Sequence, residues 1–139
     1  MKTCLVGCGG IAAVHGSVLT SGIDTEFVAA ADIKPEKAQS YAENFHTKPY
    51  PSLESMLDAE KPDVLHICTP HYLHVPMTIY ALERNINVFM EKPPAISFDQ
   101  LEELKKAAAK SEAQLGFCYQ NRYNASIRAA KDLIDSEKA

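Results

Sequence analysis

"TCLVGCGGIAAVHGSVLTSG", residues 3–22, decides the fold. Its first run, Cys4-Leu5-Val6, is short, continuous and apolar, and ends in glycine, so it reads as a buried strand. From Gly10 onward apolar residues recur at helical spacing, with Gly22 as the expected stop. Between strand and helix lies Gly7-Cys8-Gly9-Gly10-Ile11-Ala12, a G-x-G-x-x-A match in the one context that gives this motif meaning. Gly7 allows a tight turn, Gly9 lets the backbone approach a pyrophosphate, and Ala12 is small enough for the helix to lie close to a sheet. Gly10 and Ile11 open the helix, whose N-terminus offers free N–H groups and positive dipole charge to phosphates. The competing reading is a structural glycine turn.

Working outward, strand and helix keep alternating. "EFVAAAD" (26–32) is a second strand ending in Asp32, and Pro35 suits the first turn of "PEKAQSYAENF" (35–45). "TKPY" (47–50) is a short third strand, and "SLESMLDAE" (52–60) a short helix with Ser52 as N-cap. "DVLHICT" (63–69) is the fourth strand, closed by Pro70; "VPMTIYALERN" (75–85) is helical and stops at Asn85 or Asn87. "NVFME" (87–91) is the fifth strand. Ser97 and Gln100 make a capping box for "FDQLEELKKAAAKSE" (98–112). "QLGFCYQ" (114–120) is the sixth strand, and "ASIRAAKDLIDSE" (125–137) the last helix, capped by Asn124. The pattern predicts an α/β fold: a doubly wound parallel sheet of the Rossmann type, three layers α/β/α, with helices over both faces. Residues 1–139 are expected to form one dinucleotide-binding domain.

Composition narrows the function. The chain is 46% hydrophobic and carries a formal net charge of −4, with no basic run, which disfavours nucleic-acid binding. No apolar stretch approaches the roughly 18 residues of a membrane span, and the N-terminus enters a strand directly, so a soluble cytoplasmic protein is expected. The four cysteines, Cys4, Cys8, Cys68 and Cys118, form no C-x-x-C and read as reduced, mostly buried thiols. His66, Cys68, His71 and His74 span a strand and a turn and are not expected to converge on one tetrahedral ion, so no metal is assigned. His15 is read as mainly structural.

Two residues carry specific chemistry. Asp32 ends the second strand 20 positions after Ala12, where a dinucleotide site places the acid that accepts hydrogen bonds from the adenosine ribose. A carboxylate there repels a 2′-phosphate, and Ile33 supplies no cation although Lys34 is near, so NAD is favoured over NADP. Asp32 is also placed to cap the helix that begins at Pro35. Lys92 falls at the carboxyl end of the fifth strand, the end that lines the ligand crevice in this architecture. There it can hydrogen-bond a substrate hydroxyl and favour a developing alkoxide, with Pro93 and Pro94 fixing the turn that aims it. Glu91 either tunes that ammonium or only pairs with it. The alternative is a solvated Glu–Lys turn.

Taken together, "GCGGIAAVH" (7–15), "AAD" (30–32), "CTPHYLH" (68–74) and "EKPPA" (91–95) resemble the Gfo/Idh/MocA family of NAD(P)-dependent oxidoreductases, which act mostly on sugars, cyclitols and related polyols. The resemblance runs from Met1 to about Asp132. It implies that Lys92 contacts substrate and nicotinamide and that the Lys92–Pro93 peptide is cis. It implies that Thr69 and Pro70 lie against the cofactor, although His71 stands where the family often has Asn, and that His74 matches a recurrent family histidine. "QNRYN" (120–124) resembles a family segment that would bring Arg122 and Tyr123 to the nicotinamide side. It further implies a second, substrate-binding domain that this chain lacks, usually the source of a catalytic histidine and often of the oligomer interface. The general acid/base is therefore unassigned, a homo-oligomer is compatible, and the chain alone is expected to bind dinucleotide yet turn over poorly or not at all. Two other classes compete: a non-enzymatic dinucleotide-binding or redox-sensing module, and an S-adenosylmethionine methyltransferase, which has no reason for the E-K-P turn.

Overall fold

In the computed structural model, residues 1–22 and 24–136 are described. Six strands and six helices alternate: β1 (Lys2–Val6), α1 (Gly10–Leu19), β2 (Glu26–Ala31), α2 (Pro35–Phe45), β3 (Lys48–Tyr50), α3 (Leu53–Glu60), β4 (Val64–Ile67), α4 (His74–Leu82), β5 (Asn87–Glu91), α5 (Phe98–Lys110), β6 (Leu115–Cys118) and α6 (Ala125–Asp135). Short 3₁₀ turns at His71–Leu73 and Gln120–Tyr123 precede α4 and α6. The strands form one sheet in the order β3-β2-β1-β4-β5-β6, and every neighbouring pair is parallel. The chain leaves the β3 edge through α3 and re-enters beside β1. The order therefore reverses between β1 and β4, the switch point at which such sheets open a crevice.

Alternation along each strand sorts the core. Cys4, Val6, Leu65, Ile67, Val88 and Met90 face one way and bury against Leu53, Met56 and Leu57 of α3, Val75 and Leu82 of α4, and Leu104 of α5. Leu5 and Ala30 face the other way, with Ala12 of α1 and Tyr41 of α2. Gly16 makes the α1–α2 approach possible: a Cβ there would lie 2.5 Å from the Tyr41 hydroxyl and 2.7 Å from the Phe45 ring. The second helical layer thins toward the far edge. The row Leu5, His66, Phe89, Gly116 crosses the sheet in register, but His66, Phe89 and Gly116 are only half-buried, and every residue of α6 is exposed.

Element ends follow their chemistry. Ser52 Oγ accepts from Ser55 N–H at 3.1 Å, Ser97 Oγ from Gln100 N–H at 3.3 Å, and Asn124 Oδ1 from Ser126 N–H at 2.9 Å. The capping box is displaced by one residue, because the Gln100 side chain accepts from Ile96 N–H rather than from Ser97 N–H. Helix α1 stops at Leu19, ahead of Gly22. The Thr20 and Ser21 hydroxyls donate to the Gly16 and Val18 carbonyls there, and Gly22 takes a left-handed φ of 88° in the turn beyond. The last helix runs to Asp135, and its expected end at Glu137 lies outside the described residues.

Glu60, at the end of α3, is buried with a charge that three residues satisfy. Its carboxylate accepts from Lys48 Nζ at 2.8 Å and from the Tyr50 hydroxyl at 2.6 Å, and pairs with Lys2 Nζ at 3.0 Å. These bonds hold its carboxyl at about 2, below the ordinary 4.5, with Lys48 contributing most, then Tyr50 and Lys2. The pair with the exposed Lys48 is partly screened, so Glu60→Ala is expected to cost about 1–2 kcal/mol at neutral pH, read from the urea midpoint. A depressed carboxyl pKa contributes fully above the unfolded value and is lost as pH falls through the folded one. The gap between wild type and variant should thus close between pH 4.5 and about 2. A gap that stays constant over that range would remove the ion network from the account.

Candidate dinucleotide site

The turn after β1 is shaped by a close backbone crossing. Gly7 has φ 92° and donates its N–H to Ala31 O at 2.8 Å. A Cβ at Gly7 would lie 2.7 Å from the Cys68 carbonyl carbon and 2.8 Å from Thr69 N, so only glycine passes here. Gly9 and Gly10 differ: a Cβ at either meets no protein atom within 4 Å. Packing gives no reason for glycine at these two positions, whereas an approaching phosphate does. No side chain caps α1, which leaves its first N–H groups directed outward. Ile11 is exposed on that first turn, and Ala12 is buried with its carbonyl accepting from the Tyr41 hydroxyl at 2.7 Å.

Asp32 follows β2 and is held at both oxygens by backbone. Oδ2 accepts from Cys8 N–H at 2.9 Å and Oδ1 from Lys34 N–H at 2.9 Å. The first bond ties the acid to the glycine loop, and the second forms the turn that starts α2. A cavity of about 320 Å³ opens over this arrangement, lined by Gly7, Gly9, Asp32, Thr69, Pro70 and Tyr72 among others. That volume lies at the small end of ligand pockets. The Thr69 hydroxyl, on its wall, is buried without a hydrogen-bond partner. A buried unpaired hydroxyl is costly and calls for a partner from outside the protein.

His74 locks the rim from behind. It is fully buried, with Nδ1 2.8 Å from Pro93 O and Nε2 3.0 Å from Thr69 O. Its ring thereby spans the turn after β4 and the turn after β5. The Lys92–Pro93 peptide is cis, as the family resemblance implies. Lys92 is exposed and lines a second concavity, about 380 Å³, with Tyr119, Gln120, Asn121, Arg122 and Ile127. The sequence-derived residues therefore fall into two groups along the sheet's carboxyl edge: Gly7, Gly9, Asp32, Thr69 and Pro70 around one cavity, Lys92 and Arg122 around the other. Tyr123 points outward, 82% exposed, and His71 is also exposed.

Glu91 turns away from the Lys92 ammonium. It is buried, its Oε1 lies 3.1 Å from His15 Nε2, and its Oε2 accepts from Lys92 N–H at 3.2 Å. Burial pushes the carboxyl up, but hydrogen bonds from His15 and Cys118 outweigh it and leave the group below its ordinary value. His15 Nδ1 in turn lies 2.9 Å from His66 Nδ1. Burial, reinforced by His15, lowers His66 to about 4, so that ring is neutral near pH 7. The His15–His66–Glu91 assembly was not anticipated from sequence. One signal existed: Ala12, His15, Gly16 and Leu19 share the buried stripe of α1, which aims His15 at the sheet.

The Gfo/Idh/MocA oxidoreductase family, with its NAD-binding Rossmann fold, matches residues 1–119. The chain belongs to this family. Among its Gfo/Idh/MocA relatives, D-glucoside 3-dehydrogenase of Escherichia coli is 33% identical over 136 residues, covering 96% of this chain and 39% of that protein. The WlbA dehydrogenase of Bordetella pertussis, solved with NADH and UDP-GlcNAcA, superposes with a TM-score of 0.93 at 30% identity, over 97% of this chain and 42% of that one. The myo-inositol 2-dehydrogenase of Lactobacillus plantarum superposes at 0.90 with 27% identity, over 99% of this chain and 42% of that one. The chain thus spans about two-fifths of the length of these relatives. Among the described residues, no helix is long and apolar enough to cross a membrane.

Proposed function

We propose that this chain binds NAD(H) across the β1/β4 switch point and forms the cofactor half of a dehydrogenase acting on a sugar, cyclitol or related polyol. The observation that carries the reading is Asp32, fixed by the Cys8 and Lys34 N–H groups beside a cavity on whose wall Gly9 faces open space. A carboxylate so held accepts ribose hydroxyls and repels a 2′-phosphate. Lys34 and Lys37 line the same cavity, so NADPH is bound more weakly rather than refused. The uncapped start of α1 meets the pyrophosphate, and the Thr69 hydroxyl gains a partner.

Bound NAD supplies the hydride acceptor. The protein's part at that end falls to Lys92, whose exposed ammonium donates to the substrate oxygen and stabilises negative charge as it develops there. Arg122 shares that concavity and adds a second cation. Polypeptide beyond this chain completes the substrate pocket and supplies the general acid/base, and the sugar and inositol dehydrogenases among the relatives support the substrate class. Four free cysteines suit a reducing, cytoplasmic setting. Burial raises Cys8 to about 12 and raises Cys68 as well, so these thiols stay protonated, which argues against thiol-based redox sensing.

Calorimetric titration with NADH and then NADPH, each with Asp32→Ala alongside, tests the reading. NADH should bind more tightly, and the variant should lose about tenfold or more of NADH affinity together with the preference, since hydrogen bonds to a charged group contribute about 1.5–3 kcal/mol. No measurable binding of either nucleotide would withdraw the cofactor assignment.

A further inference from the structure

Beneath the Lys92 turn, three donor side chains from three elements converge. A His15 ring nitrogen from α1, a Glu91 carboxylate oxygen from the end of β5 and Cys118 Sγ from the end of β6 all lie within 4.8 Å of one another among the described residues, and His15 Nε2 is 3.1 Å from Glu91 Oε1. Zinc bonds of about 2.0–2.3 Å place tetrahedral donors about 3.3–3.6 Å apart, so small side-chain rotations bring the three to bonding distance. We propose that His15, Glu91 and Cys118 form a site for a thiophilic divalent cation, with zinc as its type, clamping α1, β5 and β6 together below Lys92.

Several features favour this ligand chemistry. The set mixes nitrogen, oxygen and sulfur, the donors that zinc accepts. Once the thiol is deprotonated, thiolate and carboxylate together neutralise a dication, which suits a site where His15 and Glu91 are both buried. A partner already stands behind His15 to orient its ring: His66 Nδ1 lies 2.9 Å from His15 Nδ1. At that distance His66 Nδ1 can accept from His15 Nδ1–H, the tautomer that frees His15 Nε2 for a metal. Glu91 Oε2 keeps its bond from Lys92 N–H while Oε1 turns to the ion. Cys118 is half-buried rather than sealed in, which leaves an entry path and a fourth position for water. On binding, the Cys118 thiol proton passes to solvent. In the bound form His15 carries its ring proton on Nδ1 and His66 carries its own on Nε2; where His66 Nδ1 was the donor before binding, both rings change tautomer together.

The test titrates the metal-free protein with Co²⁺, then with Zn²⁺ as competitor. The proposal expects one equivalent of cobalt, a thiolate-to-cobalt charge-transfer band in the near ultraviolet, tetrahedral d–d absorption and displacement by zinc. Cys118→Ser should abolish the band, His15→Gln should weaken cobalt at least tenfold, and His66→Phe should weaken it about tenfold or more because the hydrogen bond that orients His15 is lost. Cys8→Ser and Cys68→Ser should keep it. Circular dichroism of each metal-free variant establishes that it folds. No band in the wild type, or a band unchanged in Cys118→Ser, overturns the site. The clamp needs no nucleotide, so an NADH titration of the same metal-free protein fails or succeeds independently of it.

Discussion

Gly7→Ala should cost about 3 kcal/mol or more of stability, enough to unfold a large share of a marginal domain. Two penalties add. An L-residue at φ 92° is strained by about 1–2 kcal/mol. Its Cβ would also press to 2.7 Å on the Cys68 carbonyl carbon, and that neighbour is backbone at the β4 exit, unable to swing aside. Gly9→Ala is the matched control. Gly9 has φ −88° and open space around it, so its fold should stay within about 0.5–1 kcal/mol of wild type. NADH binding should nonetheless fall at least tenfold, because the new methyl enters the cavity. Urea unfolding and nucleotide titration of both variants read the two glycines separately. Equal midpoints for the pair would show that the crossing of β1 and β4 is not what requires Gly7.

The second large effect is expected at His74. His74→Leu keeps the volume but removes the ring that bridges the Thr69 and Pro93 carbonyls. Both acceptors lie against the fully buried ring, and stranding them should cost about 2–4 kcal/mol. The loss should also weaken NADH binding, because the Thr69–Pro70 turn that lines the cavity loses its brace to the turn bearing Lys92. If His74→Leu unfolds at the wild-type urea concentration, the bridge contributes nothing and the two turns hold themselves.

Much of this was legible along the chain. The strands announce themselves because parallel strands covered by helices are near-continuous apolar runs, and the caps at Ser52, Ser97 and Asn124 are local chemistry. The glycine loop and Asp32 were legible because their spacing is set by one β-α-β turn. What stayed hidden depends on distant residues meeting. Lys2, Lys48 and Tyr50 reach Glu60 only after three strands have ordered. His66 and Glu91 lie 51 and 76 positions from His15, and Glu91 meets His15 because alternation in β5 puts it on the same face as Phe89, whose ring lies 5.9 Å from that of His15. The thinning of one helical layer over β5 and β6 was hidden for another reason: amphipathic spacing in α6 says that the helix has an apolar side, not what that side meets.

Strand order also sets a clock. The inner neighbour of β1 is β4, so the ladder from Leu5 to His66 cannot form until residue 67 has been made. At about 5–20 residues per second the ribosome needs about 3–12 s to pass from residue 6 to residue 67. For that interval Cys4, Leu5 and Val6, buried in the finished fold, present an unpaired apolar edge to whatever is nearby. The feature that opens a nucleotide crevice in the mature domain is thus also its period of greatest exposure to aggregation and to chaperones during synthesis.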